Sequence, residues 1–180
     1  MTTYVCLLRG VNVSGKNRIP MAEWKANLEG LGFKDVRTYL QSGNAVFRAS
    51  AAPDQMASAV KTRIARDFGF DVEVLVLKRS EIDRVADSNP LFPQLGTDET
   101  LFHATFLNKP VSKADFAKLK LSVQAGEQAV WGGAVIYLYC PHGYGRTKLN
   151  NSFFEKALGI PATTRNWRTV LALRALCAEP

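Results

Sequence analysis

Between residues 1 and 79 the apolar residues switch repeatedly between strand spacing and helix spacing, and the order of the switches leaves few folds open. Thr3–Leu8 is a short apolar run that reads as a strand, and Arg9–Ile19 follows it as a loop. A helix begins near Pro20, a residue suited to the first helical position, and runs through Trp24 and Leu28 to Leu31-Gly32. Val36–Leu40 and Ala45–Arg48 are strands joined by the turn Gln41-Ser42-Gly43-Asn44. Pro53-Asp54 opens a second helix with Met56, Val60, Ile64 and Phe68 on one face; Gly69 ends it, and Val72–Leu77 is a fourth strand. The order β-α-β-β-α-β is the ferredoxin-like split unit.

That unit has a definite geometry. With strand order 4-1-3-2, the end of strand one lies at the same sheet edge as the hairpin of strands two and three. Arg9–Arg18 is therefore expected beside Gln41–Asn44. Strand four is apolar on both faces and strand one nearly so, which predicts a covered sheet rather than an open one that binds RNA.

The second half reads as a smaller α+β subdomain. Residues 80–99 are a connector, with a short helix over Ser80–Ala86 and an irregular loop Asn89-Pro90-Leu91-Phe92-Pro93. Within 100–180, Leu101–Leu107 is a strand and Lys113–Leu121 a helix. Ala129–Trp131 and Ala134–Cys140 are strands joined by Gly132-Gly133. A helix over Asn151–Leu158 and a last one from about Arg165 to Cys177 give the order β-α-β-β-α-α. The expected fold is thus α+β: a ferredoxin-like subdomain over 1–79, packed on a degenerate echo of itself.

Composition narrows the class. Apolar residues at 47% and charged residues at 22% are ordinary for a globular protein. The net charge of +7 favours phosphates, nucleic acid or anionic metabolites as partners, although charge speaks first to solubility. Cys6, Cys140 and Cys177 are far apart and sit in apolar patterns, which predicts buried thiols in a reducing cytosol. No apolar run approaches a membrane span, and the start lacks a signal pattern, so a cytoplasmic protein without a membrane partner is expected. Two histidines, His103 and His142, with scattered cysteines imply no metal site and no cofactor.

The chemistry concentrates in loops. Gly10–Asn17 reads G-x-x-x-x-G-K-N, one letter from a P-loop. Asn17 cannot replace the hydroxyl that holds magnesium, and Pro20 would break the helix a P-loop lysine opens. Backbone N–H groups with Arg9, Lys16 and Arg18 still suit an anion. Thr163-Thr164-Arg165-Asn166-Trp167 predicts a helix start capped by Thr164, with Arg165 as an anion contact. Pro141–Lys148 is a glycine-bounded loop with two cations, in which His142 has no evident partner.

These segments together resemble one family. Leu7-Leu8-Arg9-Gly10-Val11-Asn12-Val13-Ser14-Gly15-Lys16-Asn17 with Met21 looks like its opening signature, and Arg37-Thr38-Tyr39-Leu40-Gln41-Ser42-Gly43-Asn44-Ala45-Val46-Phe47 like its second. Asn89-Pro90, Gly145-Arg146-Thr147-Lys148-Leu149 and Ala162–Val170 complete the set. The chain resembles the bacterial domain-of-unknown-function family 1697. Ser14, where that family usually has glycine, and Leu91 before Phe92 are minor departures. The resemblance implies an α+β fold with a ferredoxin-like first part, and no established activity.

Three functions follow from the residues. The first is binding of an anionic ligand, a nucleotide or a nucleic-acid phosphate. It would use Arg9, Gly10, Asn12, Gly15, Lys16, Arg18, Ser42 and Asn44, joined by Arg165 and Asn166. The second is an enzyme acting on a phosphorylated small molecule, with His142 or Tyr39 as proton donor, although no catalytic constellation is recognisable. The third is an interaction module whose polar loops only lock the two halves.

Overall fold

The computed structural model describes residues 1–179. It is an α+β protein with two four-stranded sheets. The chain divides into two compact units: Met1–Asp83 with the C-terminal residues from Leu173 onward, and Arg84–Ala172.

The first unit contains β1 (Thr2–Leu8), α1 (Met21–Gly30), β2 (Lys34–Tyr39), β3 (Asn44–Ala49), α2 (Pro53–Phe68) and β4 (Val74–Lys78). All pairings are antiparallel, in the expected order β2-β3-β1-β4. Pro53 occupies the first turn of α2, and Gly69 ends the helix with φ 78°, a conformation that costs glycine little. Tyr4, Cys6 and Leu8 of β1 join Trp24 and Leu28 of α1 and Met56, Val60 and Ile64 of α2 in one core.

Strand alternation sends Val5 and Leu7 to the other face, where they are also fully buried. The two-sided apolar pattern of β1 thus reports real two-sided burial. Arg37 follows the core residue Val36 and so lies on that other face, where its guanidinium meets the Glu179 carboxylate at 2.7 Å. The chain's end therefore returns to the sheet face opposite α1 and α2. Next after β4 comes α3 (Arg79–Asp87), with Glu81 accepting the Lys78 N–H at 2.8 Å.

The second unit contains β5 (Phe102–Leu107), α4 (Lys113–Ala117), β6 (Gln128–Trp131), β7 (Val135–Tyr139), α5 (Asn151–Leu158) and β8 (Ala162–Asn166); α6 (Trp167–Ala178) follows. The sheet order is β6-β7-β5-β8, with every pair antiparallel. Two elements correct the sequence reading: α4 stops at Ala117 rather than Leu121, and 162–166 is a strand, where a cap at Thr164 and a helix from about Arg165 are expected. The part expected as β-α-β-β-α-α is β-α-β-β-α-β followed by a helix. It repeats the first unit's strand order position for position.

The reason lies in pairing across the sheet. β8 completes the ladder of β5, with Ala104 opposite Arg165 and Thr105 opposite Thr164. Thr164 Oγ1 donates to Asn151 Oδ1 at 2.7 Å and shares a 2.8 Å hydrogen bond with Thr105 Oγ1. Capping of α6 falls instead to Asn166, whose Oδ1 accepts the Arg168 N–H at 3.0 Å.

Candidate functional site

The loop after β1 is built on one glycine. Gly43 has φ 75°, and a Cβ there would lie 2.7 Å from both Leu8 Cβ and Val11 Cγ2. Only glycine fits that backbone and that contact. The Leu8 N–H donates to the Gly43 carbonyl at 2.9 Å, which docks the start of the loop on the β2–β3 turn. The neighbourhood expected from strand order is therefore present.

Asn12 holds the loop closed. Its Nδ2 donates to the Ile19 carbonyl at 3.0 Å and the Gln41 carbonyl at 2.7 Å, while its Oδ1 accepts the Ile19 N–H at 2.8 Å. The Asn12 N–H donates to the Asn17 carbonyl, and Asn17 Nδ2 returns a bond to the Gly10 carbonyl at 3.1 Å. Inside this ring Val13-Ser14-Gly15-Lys16 forms a tight turn, with the Lys16 N–H on the Val13 carbonyl at 3.0 Å. Its two central residues are left-handed, Ser14 at φ 51° and Gly15 at φ 74°, as in a primed hairpin turn. Val11 and Ile19 bury their side chains in the first unit's core.

Gly10, Asn12, Ser14, Gly15 and Asn17 all have positive φ. Left-handed backbone at three non-glycine residues stores strain that surrounding bonds must hold, and asparagine tolerates it best. Leu40, at the other end of the neighbouring turn, is left-handed as well, with φ 56°. It is exposed, like Val13 on the loop.

The expected site residues separate into groups. Lys16 and Arg18 are exposed, and among the described residues neither has an ion-pair partner. Gly10 and Gly15 are exposed, with open space beyond the backbone. Arg9 is half-buried at the root of the loop, its N–H on the Glu73 carbonyl at 3.0 Å. Asn12 spends its amide internally. Asn44 is fully buried and donates to the Tyr39 carbonyl and to Ser42 Oγ, each at 2.9 Å; Ser42 itself is exposed. Lys16 closes a tight turn and α1 starts only at Met21, so the geometry of a P-loop is not reproduced.

Arg165 and Asn166 belong to the second unit. Arg165 is 8% exposed and donates from Nη1 to the Thr164 carbonyl at 3.0 Å. Asn166 donates to the Thr100 carbonyl at 3.1 Å while it caps α6. Asn166 Nδ2 also lies 3.4 Å from Nε2 of the buried His103, whose ring stacks on Tyr144 at 4.7 Å. Burial pushes the His103 pKa down to about 4, so this imidazole is neutral at ordinary pH. The sequence offered no signal for that cluster, because stacking and cross-strand pairing bring its members together.

Other reactive groups are quiet. Burial first, and the Glu127 charge second, push the Cys140 thiol up to about 12, and burial raises Cys177 to about 11. All three cysteines are buried and free, as their apolar settings predict. His142 is exposed and its Nε2 sits 2.9 Å from the Ala125 carbonyl. Among the described residues no group of His, Cys, Asp or Glu is placed to hold a metal ion, and no helix is long and apolar enough to cross a membrane.

Among solved structures the chain is similar to a conserved bacterial protein, SP0830 from Streptococcus pneumoniae. The TM-score is 0.73 at 24% identity, with 98% of each chain covered. That likeness extends over both units and speaks to fold alone. No curated protein sequence matches the chain. The opening loop, the β2–β3 turn and the first strands of the second unit all fall within residues 1–137, which match the family described as "Protein of unknown function (DUF1697)"; the chain belongs to that family.

Proposed function

We propose that the first unit binds a phosphate-bearing anion, a nucleotide or a nucleic-acid backbone, on the loop between β1 and α1. One observation carries this reading. A ring of internal hydrogen bonds centred on Asn12 holds five left-handed residues in place, and the loop's exposed charged side chains, Lys16 and Arg18, are left unneutralised. The loop contains no acidic residue. A frame organised before binding lowers the ordering cost of capture, and exposed turn amides add donors at no conformational expense.

Asn12, Gly43 and Asn44 then build the frame, while Lys16, Arg18 and the turn backbone contact the ligand. The enzyme reading draws no comparable support, since His142 is engaged with a backbone carbonyl. The buried free thiols and the basic balance of +7 fit a cytoplasmic, bacterial anion-binding protein.

Titration of ¹⁵N-labelled protein with ATP and with a short DNA duplex tests the proposal. Amide shifts are expected at 10–18 and 41–43, and Lys16→Glu with Arg18→Glu should abolish them while the rest of the spectrum stays unchanged. For the duplex, the logarithm of affinity should fall with the logarithm of salt by about 0.9 per phosphate contacted. Unaltered loop amides with both probes would refute the assignment.

A further inference from the structure

The two units share a strand order, so the loop after β5 is the counterpart of the basic loop after β1. Its docking is the same in kind. The Leu107 N–H donates to the Ala134 carbonyl at 2.9 Å, matching Leu8 on Gly43, and the Val111 N–H donates to the Gly133 carbonyl at 3.1 Å. A further anchor fixes it: Trp131 Nε1 donates to the Val111 carbonyl at 2.7 Å.

This second loop forms one wall of a cleft of about 460 Å³, bounded also by α4 and the end of α5. That volume is within the range of small-ligand sites, about 300–1,000 Å³. Val111, Leu119, Leu158 and Ile160 line it; all four are half-buried side chains packed on the second unit's core. At the rim, Lys118 Nζ is 2.8 Å from Asp115 Oδ1, and Ser112 Oγ donates to Asp115 Oδ2 at 2.7 Å. Lys109, on the same rim, is exposed and has no ion-pair partner among the described residues.

We infer that this cleft is a second binding site, one that takes a small amphipathic carboxylate with an aliphatic or aromatic body. The aliphatic lining accepts the body by removing apolar surface from water. The rim carries two lysines against one aspartate, a surplus of one positive charge that matches a monoanion. Asp115 repels a second negative charge, which disfavours phosphate dianions and separates this site from the loop of the first unit. Lys109 is the group that pairs with the carboxylate, and the Trp131 anchor holds its loop ready.

Sodium octanoate is the probe, followed by ¹H–¹⁵N spectra of the whole protein, with 1-octanol and inorganic phosphate as comparisons. Saturable shifts are expected at the amides of Lys109, of 111–119 and of 157–160 and at the Trp131 indole N–H. Octanol should bind at least tenfold more weakly, and phosphate should leave these signals in place. Lys109→Glu, an exposed change that leaves the fold intact, should weaken octanoate at least tenfold. Leu158→Gln should weaken octanoate and octanol alike; if that variant does not fold, Lys109→Glu decides alone. The inference is overturned by an absence of saturable shifts at millimolar octanoate, by equal affinity for octanol, or by an unchanged affinity in Lys109→Glu.

Discussion

At the scale of single residues, the chain commits special chemistry to its loops and leaves its buried reactive groups inert. Asn12 is the clearest case, because one side chain makes three hydrogen bonds at a left-handed position. Asn12→Ala removes all three and puts a Cβ-bearing residue without a polar tip at φ 54°. A loss of about 2–4 kcal/mol is expected in denaturant unfolding, from about 1 kcal/mol per bond plus the backbone strain. Gly43→Ala should cost a similar amount, since its methyl would meet Leu8 and Val11 at 2.7 Å.

His103 gives a pH dependence with a definite sign. Its folded pKa, about 4, lies below the ordinary 6.5, so between those values the unfolded chain binds more protons. Stability contributed by the neutral ring is complete above pH 6.5 and declines as pH falls toward 4, by up to about 3 kcal/mol. Asp67 shifts for a different reason, its hydrogen bonds to Arg66 and then Arg63, and its window lies lower, between the ordinary 3.8 and about 2. His103→Gln should therefore flatten the stability profile between pH 4 and 6.5 and leave the lower limb in place. An unchanged profile would show that His103 does not titrate with folding.

At the scale of elements, local pattern and tertiary pairing agree closely except at β8 and at α4, which stops at Ala117 rather than running to Leu121. The helices α1, α2 and α5 and the strands β1–β7 were readable because their apolar spacing or their turn residues are local properties. Thr163-Thr164-Arg165-Asn166 is polar, and it reads as a cap for the helix that follows. It becomes a strand because β5 offers an unpaired edge and the Thr105–Thr164–Asn151 chain satisfies its hydroxyls. The cap is real but sits two residues later than expected, at Asn166. Asn166→Ala should cost about 1 kcal/mol in thermal unfolding, whereas Thr164→Val should loosen β8 and speed amide exchange along β5.

At the scale of the whole molecule, the C-terminal half of α6 belongs to the first unit. Leu173 and Cys177 are buried, and Arg37 and Asp83 form ion pairs with Glu179 and Arg174. The exposed ion pairs contribute little, so the burial of the two apolar side chains supplies the stabilisation. Deleting the chain from Leu173 should destabilise the first unit by several kcal/mol, with exchange accelerated at Val5, Leu7 and Val46. Equal protection in the truncated protein would show that the last turns of α6 are dispensable there.

The α+β class, the ferredoxin-like order of the first unit, the meeting of the basic loop with the β2–β3 turn and the burial of the cysteines are all legible in the order of residues alone. Each is encoded in spacing between near neighbours, and strand order then carries local information to a distance. Which loop side chains spend their polar groups internally and which stay exposed was decided only in three dimensions, because an asparagine looks the same whether it spends its amide inside or offers it outward. Tertiary structure likewise decided the eighth strand, the neutral His103 stacked on Tyr144, and the cleft beside Lys109. Those features depend on which distant groups share one small volume, and that proximity has no local signature in the chain.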